Sequence, residues 1–449
     1  MDATNKGRDM THGRPGKLLL GFALPLMFGN ICQQLYMVVD TAIVGRGVGI
    51  SALAALGCVD WFNWMLFGIA QGFAHGFSVR MSQKLGEQDL PGLKRTAAQS
   101  AFLSGAIAVG FIVVLQIGLP LILRLLQVPA ELRPLSALYT RILIAGALPM
   151  FFFNYCSGVL RAVGDSKTPL RAMLIASVVN IALDCVAVFV LHWGIAGAAG
   201  ATVFSQCVSG TICARQIWKD PRLHFSRKEL RPNPRLCRDL LGIGAPIAGK
   251  NVIISFGGMT IQSVVNGFAM SFIAGFTATG KLYGLLEVAA LSYGYAVSTY
   301  VGQNYGAAQH ERIRRGVRSA CGLAVATSLL VGGVMIAFGR HITMLFISAE
   351  DPALAAAAGA VAYDFLFCMA VFLPVLYLLF VYQSALQGMG DAKSTLYFGM
   401  VEFSLRVGLA LAVKFSGFQY GIFGAEVFAW TGSAVYLYLR WRKQRKTLV

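Results

Sequence analysis

Three side chains able to hold a small positive ion stand inside apolar runs. Asp40 lies in LLLGFALPLMFGNICQQLYMVVDTAIVG, residues 18–45, and Asn180 and Asp184 lie in NIALD. A carboxylate placed on a membrane-spanning helix costs on the order of 3 kcal/mol by insertion scales, so it normally faces protein or water and acts there. Asn180 and Asp184 are four residues apart and share one helix face, which Ser177 extends by a turn. Thr202, Gln206 and Ser209 form a similar stripe, as do Gln33, Tyr36 and Asp40 with Gln34 beside them. On a fourth run, Asn154 and Ser157 follow Tyr139. If these runs meet, each polar group finds a partner, as hydrocarbon demands. Two carboxylates in one low-dielectric pocket resist double ionisation, so the pair takes up a positive charge. A proton serves; so does Na⁺, because hard cations take oxygen ligands and Asn180 and Thr202 supply further oxygens.

The elements that must position these groups are membrane helices. The chain has 449 residues, 56% of them hydrophobic and 13% charged, with 50 glycines. That composition excludes a soluble globular protein and indicates a polytopic membrane protein. Apolar runs of about 20 residues predict twelve spans, near 18–44, 51–79, 97–120, 136–159, 169–191, 194–217, 240–266, 270–300, 317–339, 358–386, 395–415 and 419–440. Most of the 38 Lys and Arg residues fall in alternate loops and at the two ends, which places both termini in the cytoplasm. This asymmetry accounts for the net charge of +18 without nucleic acid. The nine cysteines lie mostly in apolar runs with no zinc spacing and read as packing residues. The first apolar run is too long for a signal core and is expected to stay in the protein.

The second half repeats the first. Pro25 and Asn30 correspond to Pro246 and Asn251, and Gln83–Gly86 to Gln303–Gly306. Leu160–Lys167 (LRAVGDSK) corresponds to Leu386–Lys393 (LQGMGDAK), and Gly194–Gly197 to Gly421–Gly424. Six spans separate the copies, so they share one orientation and make two parallel six-helix bundles around a central cleft. The expected organisation is a cytoplasmic arm (1–17), an N-lobe (18–217), a basic cytoplasmic linker (218–239), a C-lobe (240–440) and a basic tail (441–449). Ile261 stands where the repeat would have Asp40, and Ala410 where it would have Asp184, so the acid pair belongs to the first half alone. Pro25, flanked by Gly21 and Gly29, removes a helix hydrogen bond and marks a kink that can serve as a hinge.

The second half has its own charges in or near apolar runs: Lys250, Lys281, Glu287, Asp364, Glu402, Arg406 and Glu426. Glu402 and Arg406 have the spacing and sense of a helix ion pair. Glu287 is a secondary candidate for ion coupling. His75 reads either as a pH sensor or as a hydrogen-bonded packing residue. Phe152, Phe153, Phe256 and Met259 are candidate walls of an adaptable pocket, and acids nearby would attract an organic cation.

The runs ALPLMFGNICQQLYMVVDTAIVG, LRAVGDSKTP, NIALD, VGQNYGA and ALQGMGDAK, in that order, make the chain resemble bacterial multidrug and toxic compound extrusion (MATE) transporters over nearly its whole length. The resemblance implies a cation-coupled antiporter exporting organic cations and other amphiphiles. It also implies that Asp40, Asn180, Asp184 and Thr202 match the N-lobe cation site of prokaryotic members, with Gln34, Tyr139 and Asn154 around it. Some members place a second site on an acid of the seventh span, where this chain has Gly257, Gly258 and Met259. The expected setting is the bacterial inner membrane, as a monomer, with H⁺ or Na⁺ as coupling ion, no cofactor, and small-molecule cargo and lipid as partners. A lipid-linked oligosaccharide flippase is the nearest alternative, though it would carry cationic cleft residues on both lobes. A membrane enzyme or channel is further off, since no HExxH, GxSxG or nucleotide-binding loop is present.

Overall fold

The computed structural model describes residues 9–224, 229–344, 347 and 352–447. Residues 1–8 of the expected N-terminal arm, residues 225–228 of the linker and the last two residues of the tail lie outside the described residues. Among those described there is no strand. The first half contains α1 (Pro15–Gly47), α2 (Ile50–Gly86), α3 (Leu90–Leu125), α4 (Arg133–Ala145), α5 (Ala147–Ala162), α6 (Lys167–Cys185) and α7 (Gly194–Lys219). The second contains α8 (Pro234–Val265), α9 (Met270–Gly306), α10 (His310–Met344), α11 (Pro352–Gly388), α12 (Ala392–Ser416) and α13 (Ile422–Gln444).

Nine of these, counted over the described residues, are long and apolar enough to cross a membrane, and ten if the bent pair α4–α5 is one span. The two remaining expected spans, α2 and α9, are 37 residues each and long enough. They carry polar side chains such as Asn63, His75, Glu287 and Gln303 along their length. Large apolar side chains point away from the protein interior, as lipid contact requires: Ile117 is 77% exposed, Val178 69% and Phe415 85%.

The fourth span departs from the single helix expected over 136–159. It breaks between Ala145 and Ala147 with a 47° bend. Pro149 has no N–H to offer the Ala145 carbonyl, and its ring crowds that carbonyl. Gly146 sits at the break against α7: a Cβ there would stand 2.2 Å from a methyl of Val203. The fifth span also changes character, passing from α6 into a π-helical turn at Val186–Val190, directly after Asp184. Such turns shift the helix register by one residue and are frequent at functional positions.

The chain forms two compact units. One is Leu24–Ala248 with Asp9 and Met10; the other is Thr11–Ala23 with Gly249–Val449. The divisions thus run inside α1, just before Pro25, and inside α8, two residues after Pro246. In the first unit α2, α4 and α5 adjoin α3, α4 and α5 also adjoin α7, and α6 pairs with α7; in the second, α9 and α11 form the centre, α10 lies beside them and α12 pairs with α13.

The sequence repeat is also a backbone repeat. Gly164 and Gly390 adopt φ of 87° and 86°, conformations open to glycine. The aspartate after each then caps the next helix. Asp165 accepts from the Lys167 and Thr168 amides at 3.0 Å each, and Asp391 from the Ser394 amide at 3.2 Å. Each acid also accepts a hydroxyl at 2.6 Å, from Thr168 and Ser394 respectively.

Candidate functional site

In the first unit the acids from two separate helices come together. Asp40 of α1 and Asp184 of α6 are in side-chain contact, and each keeps its Oδ1 without a hydrogen-bond partner. Asp184 is fully buried and Asp40 half-buried. No Lys or Arg pairs with either among the described residues. Asn180, one helical turn before Asp184 and 1% exposed, fixes the geometry. With its amide oriented as its neighbours require, its nitrogen donates to Asp184 Oδ2 at 3.2 Å and its oxygen accepts from the Thr202 backbone N–H at 3.2 Å. That amide therefore ties α6 to α7. The Thr202 hydroxyl donates to the Ala198 carbonyl at 3.2 Å, which leaves its lone pairs able to accept.

Two phenols border the acids. Tyr36, one turn before Asp40, and Tyr139 of α4 both lie within electrostatic reach of Asp40 and Asp184. Tyr139 packs against the apolar cluster of Val44, Ala52, Ile195 and Ala198. α4 is pinned to α2 by the Ser136 hydroxyl, which donates to the Ala55 carbonyl at 2.9 Å. Tyr139 is also within reach of Asp60, an exposed acid on α2 that the sequence reading passed over. The available signal was another acid in an apolar stretch.

A half-open pocket of about 310 Å³, counting the solvent space at its mouth, adjoins this centre. Tyr36 belongs to both, lining the cavity along with Gln33 of α1. Ser177 from α6 and Gln206 and Ser209 from α7 form its polar wall, and Phe153 and Met173 its apolar one. The buried Gln206 Oε1 has no hydrogen-bond partner, an unmet acceptor in that wall.

The other candidates are placed differently. Gln33, not its neighbour Gln34, lines the cavity. Asn154 donates to the Met150 carbonyl of its own helix at 2.9 Å. Phe152 and Phe256 are 43% and 51% exposed, while Phe153 faces the cavity. Pro25 lies within one continuous helix. His75 is buried at 8% on α2, between Gly72 and Gly76. There α2 and α8 approach so closely that a Cβ on either glycine would meet Ala248 or Gly244 backbone at 2.6 or 2.5 Å. Among the described residues no three His, Cys, Asp or Glu side chains are grouped to hold a metal.

The second unit holds charges of both signs. Arg406 of α12, 3% exposed, offers Nη2 to Glu402 Oε1 at 2.9 Å and to Glu426 Oε2 of α13 at 2.6 Å. The helical spacing predicts the first contact. Glu426 is the partner that spacing could not reveal, because it comes from another helix. Lys250 of α8 lies 5.8 Å from the Phe398 ring centre, and Glu287 of α9 is half-buried.

Comparison with known proteins gives a consistent picture. The MatE family model matches residues 25–186 and again 246–411, starting at the corresponding prolines of the two halves. The chain is 30% identical over 398 residues to a "Probable multidrug resistance protein YpnP" of Bacillus subtilis (strain 168), covering 89% of this chain and 88% of that one. A solved "MOP superfamily transporter from Pyrococcus furiosus" superposes with a TM-score of 0.92 at 25% identity, covering 100% of this chain and 99% of that one. A "multidrug resistance MATE family transporter" in an outward-facing conformation gives 0.92 at 24% identity over the same shares. An all-helical membrane chain built as two matching halves, each recognised by the same family model, thus belongs to the MatE family of transporters.

Proposed function

We propose that this chain is a cation-coupled antiporter of the bacterial inner membrane that exports organic cations and other amphiphiles by alternating access. The observation carrying this reading is the contact between Asp40 and Asp184, two acids from separate helices that meet with no base among the described residues to neutralise them. A buried pair of this kind holds one transferable positive charge. H⁺ or Na⁺ binds there, and Asn180 and Thr202 complete an oxygen-lined site for the metal ion. Release of the ion and loading of cargo in the adjoining cavity are mutually exclusive, so each drives the other through one two-state protein. The drive is about 2.3 kcal/mol per charge per 100 mV of membrane potential, plus about 1.4 kcal/mol per pH unit for a proton.

Relatives named for multidrug resistance or export support the cargo class. The alternation of Lys and Arg between loops supports cytoplasmic termini. The test is efflux of a fluorescent organic cation from proteoliposomes under a pH gradient and, separately, a Na⁺ gradient. One gradient drives export in the unaltered protein, and Asp40→Asn abolishes it. Full export by Asp40→Asn would overturn the reading.

A further inference from the structure

The charges of the second unit do not balance. Glu402 and Glu426 converge on the one guanidinium of Arg406, and Lys250 and Glu287 lie within electrostatic reach of that group and of each other. Three acids face two bases, which leaves one negative charge over in a low-dielectric setting where an uncompensated charge is strongly disfavoured.

The surplus falls on Glu287. Glu402 and Glu426 are held by Arg406 at ion-pair distance, whereas Glu287 makes no ion pair or side-chain hydrogen bond among the described residues. Lys250 is the nearest free base but does not reach it at ion-pair distance. Unlike the buried Arg406, Lys250 and Glu287 are both half-buried.

The surroundings suit an organic cation. Tyr283, one helical turn before Glu287 on the same face of α9, stacks on Trp430 of α13 with ring centres 5.9 Å apart. An aromatic face beside a carboxylate binds a delocalised positive charge by cation–π attraction and charge pairing together. Trp430 is 1% exposed, and its indole N–H has no acceptor, a buried donor left for an oxygen of a bound molecule or a water.

We propose that Glu287, with Tyr283, is the second unit's contact for the positively charged group of the cargo, and that Lys250 is a nearby fixed cation that weakens this contact. This rests on the export reading above and adds a cargo-recognition residue away from the ion site of the first unit. The test is calorimetric binding of tetraphenylphosphonium, a permanent monovalent cation, to the purified full-length protein. Glu287→Gln is expected to weaken binding about tenfold, in the range of a lost charge-assisted contact. Glu287→Asp keeps most of the affinity, and Lys250→Gln tightens it about threefold by removing that fixed cation. Undiminished binding by Glu287→Gln would overturn the proposal, and so would equal losses in Glu287→Gln and Glu287→Asp, which indicate shape and not charge. If the unaltered protein does not bind the cation, the export reading fails and Glu287 falls with it. If it binds and Glu287→Gln binds equally well, only the role of Glu287 fails.

Discussion

Asn180 and Arg406 occupy the same place in the two halves. Carrying the match of Leu160–Lys167 with Leu386–Lys393 forward without a gap sets one upon the other. Each ties the corresponding pair of helices: Asn180 joins α6 to α7 through Asp184 and the Thr202 amide, and Arg406 joins α12 to α13 through Glu402 and Glu426. The amide has no charge, so it offers the acids beside it no cation. The guanidinium is a permanent cation, so the acids beside it are already held. On the proposed reading, one scaffold position thus separates an exchangeable site from a fixed brace.

The sharpest way to break this contrast is in transport. Asp184→Asn should lower gradient-driven export at least about tenfold, equivalent to about 1.4 kcal/mol, whereas Glu402→Gln should leave its ion dependence intact. Initial rates in proteoliposomes decide this, and a Glu402→Gln protein that loses its ion dependence would make the two halves alike.

Stability should show the reverse order. Arg406→Ala strands two buried carboxylates and is expected to destabilise by about 3–5 kcal/mol. Asn180→Ala removes neutral hydrogen bonds and should cost about 1–3 kcal/mol. Unfolding in detergent measures both, and equal losses would contradict a brace confined to the second half. Replacing the whole triad (Glu402→Gln, Arg406→Met, Glu426→Gln) should recover most of the stability lost in Arg406→Ala, because no unpaired charge is left behind.

Smaller effects test the shared framework. Asp165→Ala and Asp391→Ala each remove a helix cap, about 1 kcal/mol by unfolding midpoint. Asp391 should show the larger loss, since it also accepts from Arg440 at 2.8 Å and from Gln444 at 2.5 Å.

The smallest effect is at Asp89, in the loop before α3. The Gly92 amide and then the Lys84 ammonium hold its carboxyl below the ordinary value. Its contribution is complete above the ordinary carboxylate range and is lost as pH falls through the depressed folded value. The stability gap between the unaltered protein and Asp89→Ala should therefore close on acidification below about pH 4.

Much of this was legible in the residues. Pro25 and Pro246, and the GD pairs at 164–165 and 390–391, gave the repeat because identical turns need identical glycines and caps. Asn180 and Asp184 announced a shared face by their spacing. The meeting of Asp40 with Asp184 was expected only from the resemblance and the need of polar groups for partners, and that of Glu426 with Arg406 was not legible, since pairing between helices leaves no periodic trace in either one. Neither was the break at Gly146: Pro149 hints at it, but the close approach of Val203 completes it.

The sequence by itself determined that the chain crosses a membrane many times, that it is built twice over, and that Asp40 and Asp184 have no acidic counterparts in the second copy. Hydrophobicity, charge placement and turn chemistry are local properties and are written residue by residue. Only the tertiary structure decided which acid meets which and which carboxylate keeps a free oxygen. It also showed that one position holds an amide bridge in one half and a cation in the other. Those outcomes depend on distances between helices far apart in the chain, which packing alone fixes.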